Sequence, residues 1–117
     1  MVITLNGNEY NLFFSIAGID YLDNAYYIDA QGIKFGFGVG LLSQQLAVSN
    51  PVGIFRAIKA GLFNKTVRDE WIEQFVTEKA EKDELESLAK ELYEELKKQP
   101  LTRKTVMSLA EKPIEMN

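Results

Sequence analysis

The segment Gly32-Ile33-Lys34-Phe35-Gly36-Phe37-Gly38-Val39-Gly40-Leu41-Leu42 constrains the fold of this chain more than any other. It carries one charge, at Lys34, and glycine recurs at every second position from Gly36 to Gly40. Glycine costs backbone entropy in any regular element, so Gly32, Gly36, Gly38 and Gly40 together require a reason. As a strand, the segment puts Phe35, Phe37 and Val39 on one face and Gly36, Gly38 and Gly40 on the other. As a helix, it makes a smooth stripe of Gly32, Gly36 and Gly40 beside an apolar stripe of Ile33, Phe37 and Leu41. Both patterns imply that another segment packs unusually close to this backbone. Strand and helix stay open for residues 32–38, and apolar spacing continuing through Leu42 and Leu46 favours a helix from about Gly36 onward.

A chain of 117 residues, 46% of them hydrophobic, is long enough for one domain with a core. Its longest nearly uncharged run is broken by glycines and falls short of the roughly 20 apolar residues of a membrane span. No basic segment followed by an apolar stretch opens the chain, so no secretory signal is expected. With no cysteine and no histidine, disulfides, thiolate metal sites and the commonest general base are excluded. A net charge of −4 argues against nucleic-acid binding. The charges are unevenly placed. Residues 1–62 hold three basic and four acidic side chains, and residues 63–117 hold ten and thirteen. A small domain cannot hide half its length, so the low-charge half is expected to expose apolar area of the kind that marks interfaces.

Around Asn6-Gly7-Asn8, the runs Val2–Leu5 and Glu9–Phe14 alternate in polarity and predict a β-hairpin. Ser15 is placed to cap a helix through Ile16, Ile19, Tyr21 and Leu22, with Gly18 weakening it and Asp20 and Asp23 on its wetter side. Tyr27 to Gln31 reads as a loop, and the glycine-rich segment continues to about Ala47. Asn50-Pro51 marks a restart, with Asn50 as cap and Ile54, Phe55, Ile58 and Leu62 at helical spacing. Thr66 with Asp69 resembles a capping arrangement for a helix bearing Trp71, Ile72, Phe75 and Val76. The charged stretch Thr77–Glu84 predicts a break. Leu85, Leu88, Leu92 and Leu96 resume the helical pattern, supported by Glu86–Lys90 and Glu94–Lys98 pairs, until Pro100. Thr102 is placed to cap a last short helix through Val106 and Leu109. The expectation is an α+β fold: a mostly helical single domain over residues 1–109 with an N-terminal β-hairpin, followed by a flexible tail at 110–117.

No catalytic, cofactor or metal site emerges. Gly36-Phe37-Gly38-Val39-Gly40 lacks the terminal Gly-Lys-Ser/Thr of a phosphate loop and the spacing of a dinucleotide fingerprint. Asp20, Asp23 and Asp29 lack the dense alternation of a calcium loop. The acidic residues of 78–95 alternate with lysine as on a solvated helix face, and no carboxylate pair stands out. Lys97, Lys98, Arg103 and Lys104 sit where a helix C-terminus favours cations.

Three segments together are more specific. Gly32–Leu42, Asn50-Pro-Val-Gly-Ile-Phe-Arg-Ala-Ile58 and Glu91-Leu-Tyr-Glu-Glu-Leu-Lys-Lys-Gln-Pro-Leu-Thr-Arg-Lys-Thr-Val106, in this order and spacing, resemble the tail assembly chaperones of long-tailed, non-contractile phages of Gram-positive bacteria. The resemblance covers nearly the whole chain. It implies a non-structural protein of the infected cell's cytoplasm, absent from the finished virion, that self-associates and binds the tape measure protein. That partner is a long hydrophobic helical rod, kept soluble until tube subunits polymerise around it. The resemblance further implies a second, longer frameshifted product as a possible partner. It implies no enzyme and no cofactor. The expected partner or self-association surface comprises Phe35, Gly36, Phe37, Gly40, Leu41 and Phe55. Two rivals from other classes are a structural subunit of the tail or neck, and a small enzyme using carboxylates.

Overall fold

Positive φ at Asn6 (50°) and Gly7 (79°) folds the first strand back on the second. Such a turn matches the natural twist of paired strands, which is why Asn-Gly favours it. In the computed structural model, which describes residues 1–111, the strands are β1 (Val2–Leu5) and β2 (Asn8–Asn11), paired antiparallel with Leu5 opposite Asn8. Ile3 and Leu5 are buried while Val2 and Thr4 face water. The predicted N-terminal hairpin is therefore present, shorter than its alternating sequence suggested.

Ser15 caps α1 (Ile16–Ala25) by accepting from the Gly18 amide at 3.1 Å. Six helices follow the same logic of apolar stripe turned inward: α1, α2 (Gly38–Ala47), α3 (Pro51–Gly61), α4 (Asp69–Glu81), α5 (Leu85–Lys98) and α6 (Arg103–Glu111). Asn50 caps α3 as its sequence predicts, accepting from Val52 N at 2.9 Å, with Pro51 at the first helical position. Leu22, Leu42, Ile54, Ile58, Leu92 and Leu96 meet in one core. Gln99 ties the start of the chain to the end of α5. Its Oε1 accepts from Phe14 N at 2.7 Å and its Nε2 donates to Leu12 O at 2.9 Å. Nearby the Met1 ammonium donates to Glu95 Oε1 at 3.1 Å.

Several local expectations are corrected. Tyr27–Gln31 is no loop: Tyr27–Ala30 form β3, which pairs antiparallel with β4 (Ile33–Gly36). Gln31 (φ 54°) and Gly32 (φ 78°) make the same kind of turn as Asn6-Gly7. The helix starts at Gly38, so Gly32, Gly36 and Gly40 share no helical stripe. Thr66 caps nothing, since α4 begins at Asp69 after Arg68 and has no side-chain cap. The break predicted for 77–84 is confined to Lys82–Glu84, where Asp83 adopts φ 56°. Glu94 pairs with Lys97 at 3.5 Å rather than Lys98. Thr102 is fully buried and its hydroxyl donates back to Leu96 O at 2.6 Å, locking the α5–α6 corner. Ala110 and Glu111 belong to α6, and the rest of the expected tail, 112–117, lies outside the described residues.

Candidate interaction surface

The β3–β4 hairpin is inverted. Cross-strand pairing places Ile28 opposite Phe35 and Ala30 opposite Ile33, so those four side chains share one face. The other face carries Tyr27 opposite Gly36 and Asp29 opposite Lys34. In a half-buried sheet the apolar face meets the protein. Here the polar one does. Lys34 Nζ donates to Asn24 Oδ1 on α1 and lies 4.4 Å from the centre of the Tyr27 ring. Gly36 abuts the Asp23 side chain, leaving no room for a Cβ. The apolar face points to solvent, with Ile28, Ile33 and Phe35 exposed by 54%, 58% and 47%. Every residue from Tyr27 to Phe37 is exposed. With one aspartate and one lysine, the hairpin carries no net charge.

Its base is rigidly held. Phe37 N donates to Tyr26 O at 2.8 Å, closing the strands onto the end of α1. Asp23 Oδ1 accepts from Gly38 N at 2.8 Å, so a carboxylate of α1 sits at the N-terminus of α2, where the helix dipole favours negative charge. A Cβ on Gly38 would fall 2.6 Å from the backbone of Leu22 and Asp23, which makes this the close approach that the glycine spacing foretold. The approach is within the chain. Next to it, a cleft of about 540 Å³ runs between α1, the β4–α2 junction and α6, with Phe37 and Leu101 on its lips.

Of the six residues expected at an interface, Phe35, Gly36 and Phe37 come together on this exposed element. Gly40 is buried beneath α6, where an added Cβ would stand 3.0 Å from Leu109 Cδ1. Leu41 and Phe55 are partly buried against the core. Ile28, Ala30 and Ile33 share the exposed face with Phe35 and are not among those six. Their signal was alternation about Gln31-Gly32, obscured because Gln-Gly is a weaker turn pair than Asn-Gly.

Every buried side-chain polar atom among the described residues has a hydrogen-bond partner. Among those residues no group of three or more acidic side chains is placed to hold a metal ion, and no helix is long and apolar enough to cross a membrane. Burial pushes the Tyr21 phenol up against the opposing charges of Lys59 and Arg56, and the Tyr21 ring stacks on Phe63. The outward face of the hairpin presents apolar surface whose removal from water is favourable. A family model described as phage tail assembly chaperone protein, TAC, matches residues 2–111. No curated protein and no solved structure matches the chain.

Proposed function

Since the chain belongs to the phage tail assembly chaperone family, we propose that it binds the hydrophobic helical tape measure protein and keeps it soluble until the tail tube polymerises around it. The observation that carries this proposal is the outward apolar face of β3–β4, with Ile28, Ile33 and Phe35 held in water by a hairpin whose polar side is anchored to α1. Exposing such a face is unfavourable unless something covers it. An apolar helix covering it gains about 25 cal/mol per Å² of apolar area removed from water. One such face is small, so strength would come from repetition: the protein self-associates and presents many weak sites along one rod. Release requires no reaction, because tube subunits compete for the same surface. The proposed setting is the cytoplasm of a Gram-positive host infected by a long-tailed, non-contractile phage. A longer frameshifted form would be a co-assembling partner, and the protein would be absent from the virion.

Co-expression with the neighbouring tape measure gene, followed by pull-down, tests the proposal. Capture and solubilisation of the tape measure protein are expected. A tape measure protein that stays insoluble and uncaptured would refute it. Detection of the chain in purified virions would favour a structural subunit instead.

A further inference from the structure

The two strands of the exposed hairpin differ in what lies beside them. β4 rests on α1, with Lys34 bonded to Asn24 and Gly36 against Asp23. β3 has β4 as its one strand neighbour, and its other edge is open. The bond from Phe37 N to Tyr26 O fixes which backbone groups face inward. Bonded pairs alternate along an antiparallel ladder, so Ile28 and Ala30 point their N–H and C=O groups at β4. Tyr27 and Asp29 point theirs the other way, and both residues are exposed. The register is unbroken, so no bulge twists this edge away, and no proline blunts it. An edge of this kind is a template for a further strand.

We propose that β3 of one copy pairs antiparallel with β3 of a second copy, edge to edge, about a two-fold axis at Ile28. This rests on the self-association proposed above and names the surface that carries it. Alternating N–H and C=O groups are satisfied together by another extended backbone, which selects a strand over a helix as occupant. A second copy brings that same edge, and charge selects the register. Outward residues must oppose outward residues, which leaves Tyr27, Ile28 or Asp29 at the centre. Centring on Asp29 sets two carboxylates directly opposite, which is unfavourable. Centring on Tyr27 runs the pairing off β3 into Ala25 of α1. Centring on Ile28 places Tyr27 of each copy opposite Asp29 of the other. Because Lys34 Nζ lies 4.4 Å from the centre of the Tyr27 ring, each Asp29 then comes up beside a cation of the other copy. The axis is perpendicular to the sheet, so both apolar faces stay on one side. Ile28, Ile33 and Phe35 of both copies are left free to meet one rod, whereas hairpins packed face to face would cover them. Four strands also relieve the marginal stability of two. An edge of four residues is small beside the roughly 800 Å² per partner of a stable interface, so the pair is weak in free solution and strengthened where two copies share a rod.

The chain has no cysteine, so a single introduced thiol reports the geometry. Opposed Ile28 residues would stand about 4.5 Å apart at Cα, within disulfide range. Ala30 and its counterpart would lie four residues apart along the pairing, about 13 Å, and Phe35 and its counterpart would have two strands between them. Under oxidation at high protein concentration, Ile28→Cys should form a covalent dimer about tenfold or more faster than Ala30→Cys or Phe35→Cys. Asp29→Pro added to Ile28→Cys removes an edge N–H and should abolish this advantage. Circular dichroism checks each fold, and Asp29→Lys, which sets a cation beside the other copy's Lys34, replaces a proline variant that fails it. Equal rates at the three positions, or an Ile28→Cys rate that neither change at Asp29 slows, would overturn the edge pairing. A wild type that light scattering still finds oligomeric would then keep self-association and move the contact elsewhere. Failure to capture the tape measure protein, with the preference for Ile28→Cys intact, would refute the proposed function and leave the pairing standing.

Discussion

At the residue scale, the glycines of one segment do different work. Gly38 is pressed against the backbone of α1, with Leu22 C and Asp23 N at 2.6 Å from the position of a Cβ. Backbone cannot yield, so Gly38→Ala should cost overpacking of about 1–3 kcal/mol. Its gain in helix propensity is at most about 1 kcal/mol. Gly40 faces only the end of the Leu109 side chain, which can rotate away. Gly40→Ala should therefore keep or slightly raise stability through propensity. Thermal melts separate the two, at roughly 4 °C per kcal/mol for a chain of this size. Equal effects from both substitutions would mean that the close approach at Gly38 is not structural. Asp23 shows how far such roles lie from sequence patterning. On its own helix it is a polar residue on the wet side, yet it caps another helix fifteen residues on.

At the element scale, the two hairpins share a turn type and differ in what holds them. β1–β2 is clamped by buried Ile3 and Leu5, whereas all eight residues of β3 and β4 are exposed. An isolated two-stranded hairpin is marginal in water. Hydrogen exchange should accordingly be faster in Tyr27–Gly36 than in Val2–Asn11, and should slow when the protein assembles or binds its partner. Unchanged exchange in 27–36 upon assembly would place the contact elsewhere. Phe35→Ser gives the complementary check. Lost burial is small at an exposed site, so stability should stay within about 0.5 kcal/mol of wild type while partner capture falls.

At the scale of the whole molecule, the chain is closed by a contact between its first residue and α5. Burial alone would push the Glu95 carboxyl up, but hydrogen bonds from Gln99 and the N-terminal ammonium, with the charges of that ammonium and Lys98, hold it below the ordinary value of 4.5. The folded state thus binds protons less readily than the unfolded one. Stability from this group is complete above about pH 4.5 and is lost as pH falls through the lower folded-state value. Glu95→Gln should melt below wild type at pH 7, and the gap should narrow as pH drops below 4.5. A gap that is constant with pH would show that the charge is immaterial. The neutral hairpin leads to a second whole-molecule expectation. Capture of a tape measure fragment should survive raised salt, since exposed ion pairs are screened within about 10 Å at 0.1 M and apolar burial is not. Calorimetry should show a negative heat-capacity change. Affinity that collapses with salt would point to an electrostatic site.

Local chemistry determined much of this protein without any structure. Asn6-Gly7, Ser15, Asn50-Pro51 and the Leu88–Leu96 stripe act through neighbours a few residues away, so their turn, caps and inward face follow from sequence alone. The glycine spacing likewise announced a close backbone approach, because nothing else repays its entropy. Which backbone approaches was decided only by the tertiary fold, where α1 lies against Gly38 and α6 covers Gly40. So was the hairpin's orientation. Alternation says that β3–β4 has an apolar and a polar face, but which face turns inward depends on partners distant in sequence. Lys34 and Gly36 meet Asn24 and Asp23 on α1, and that contact turns Ile28, Ile33 and Phe35 out to water.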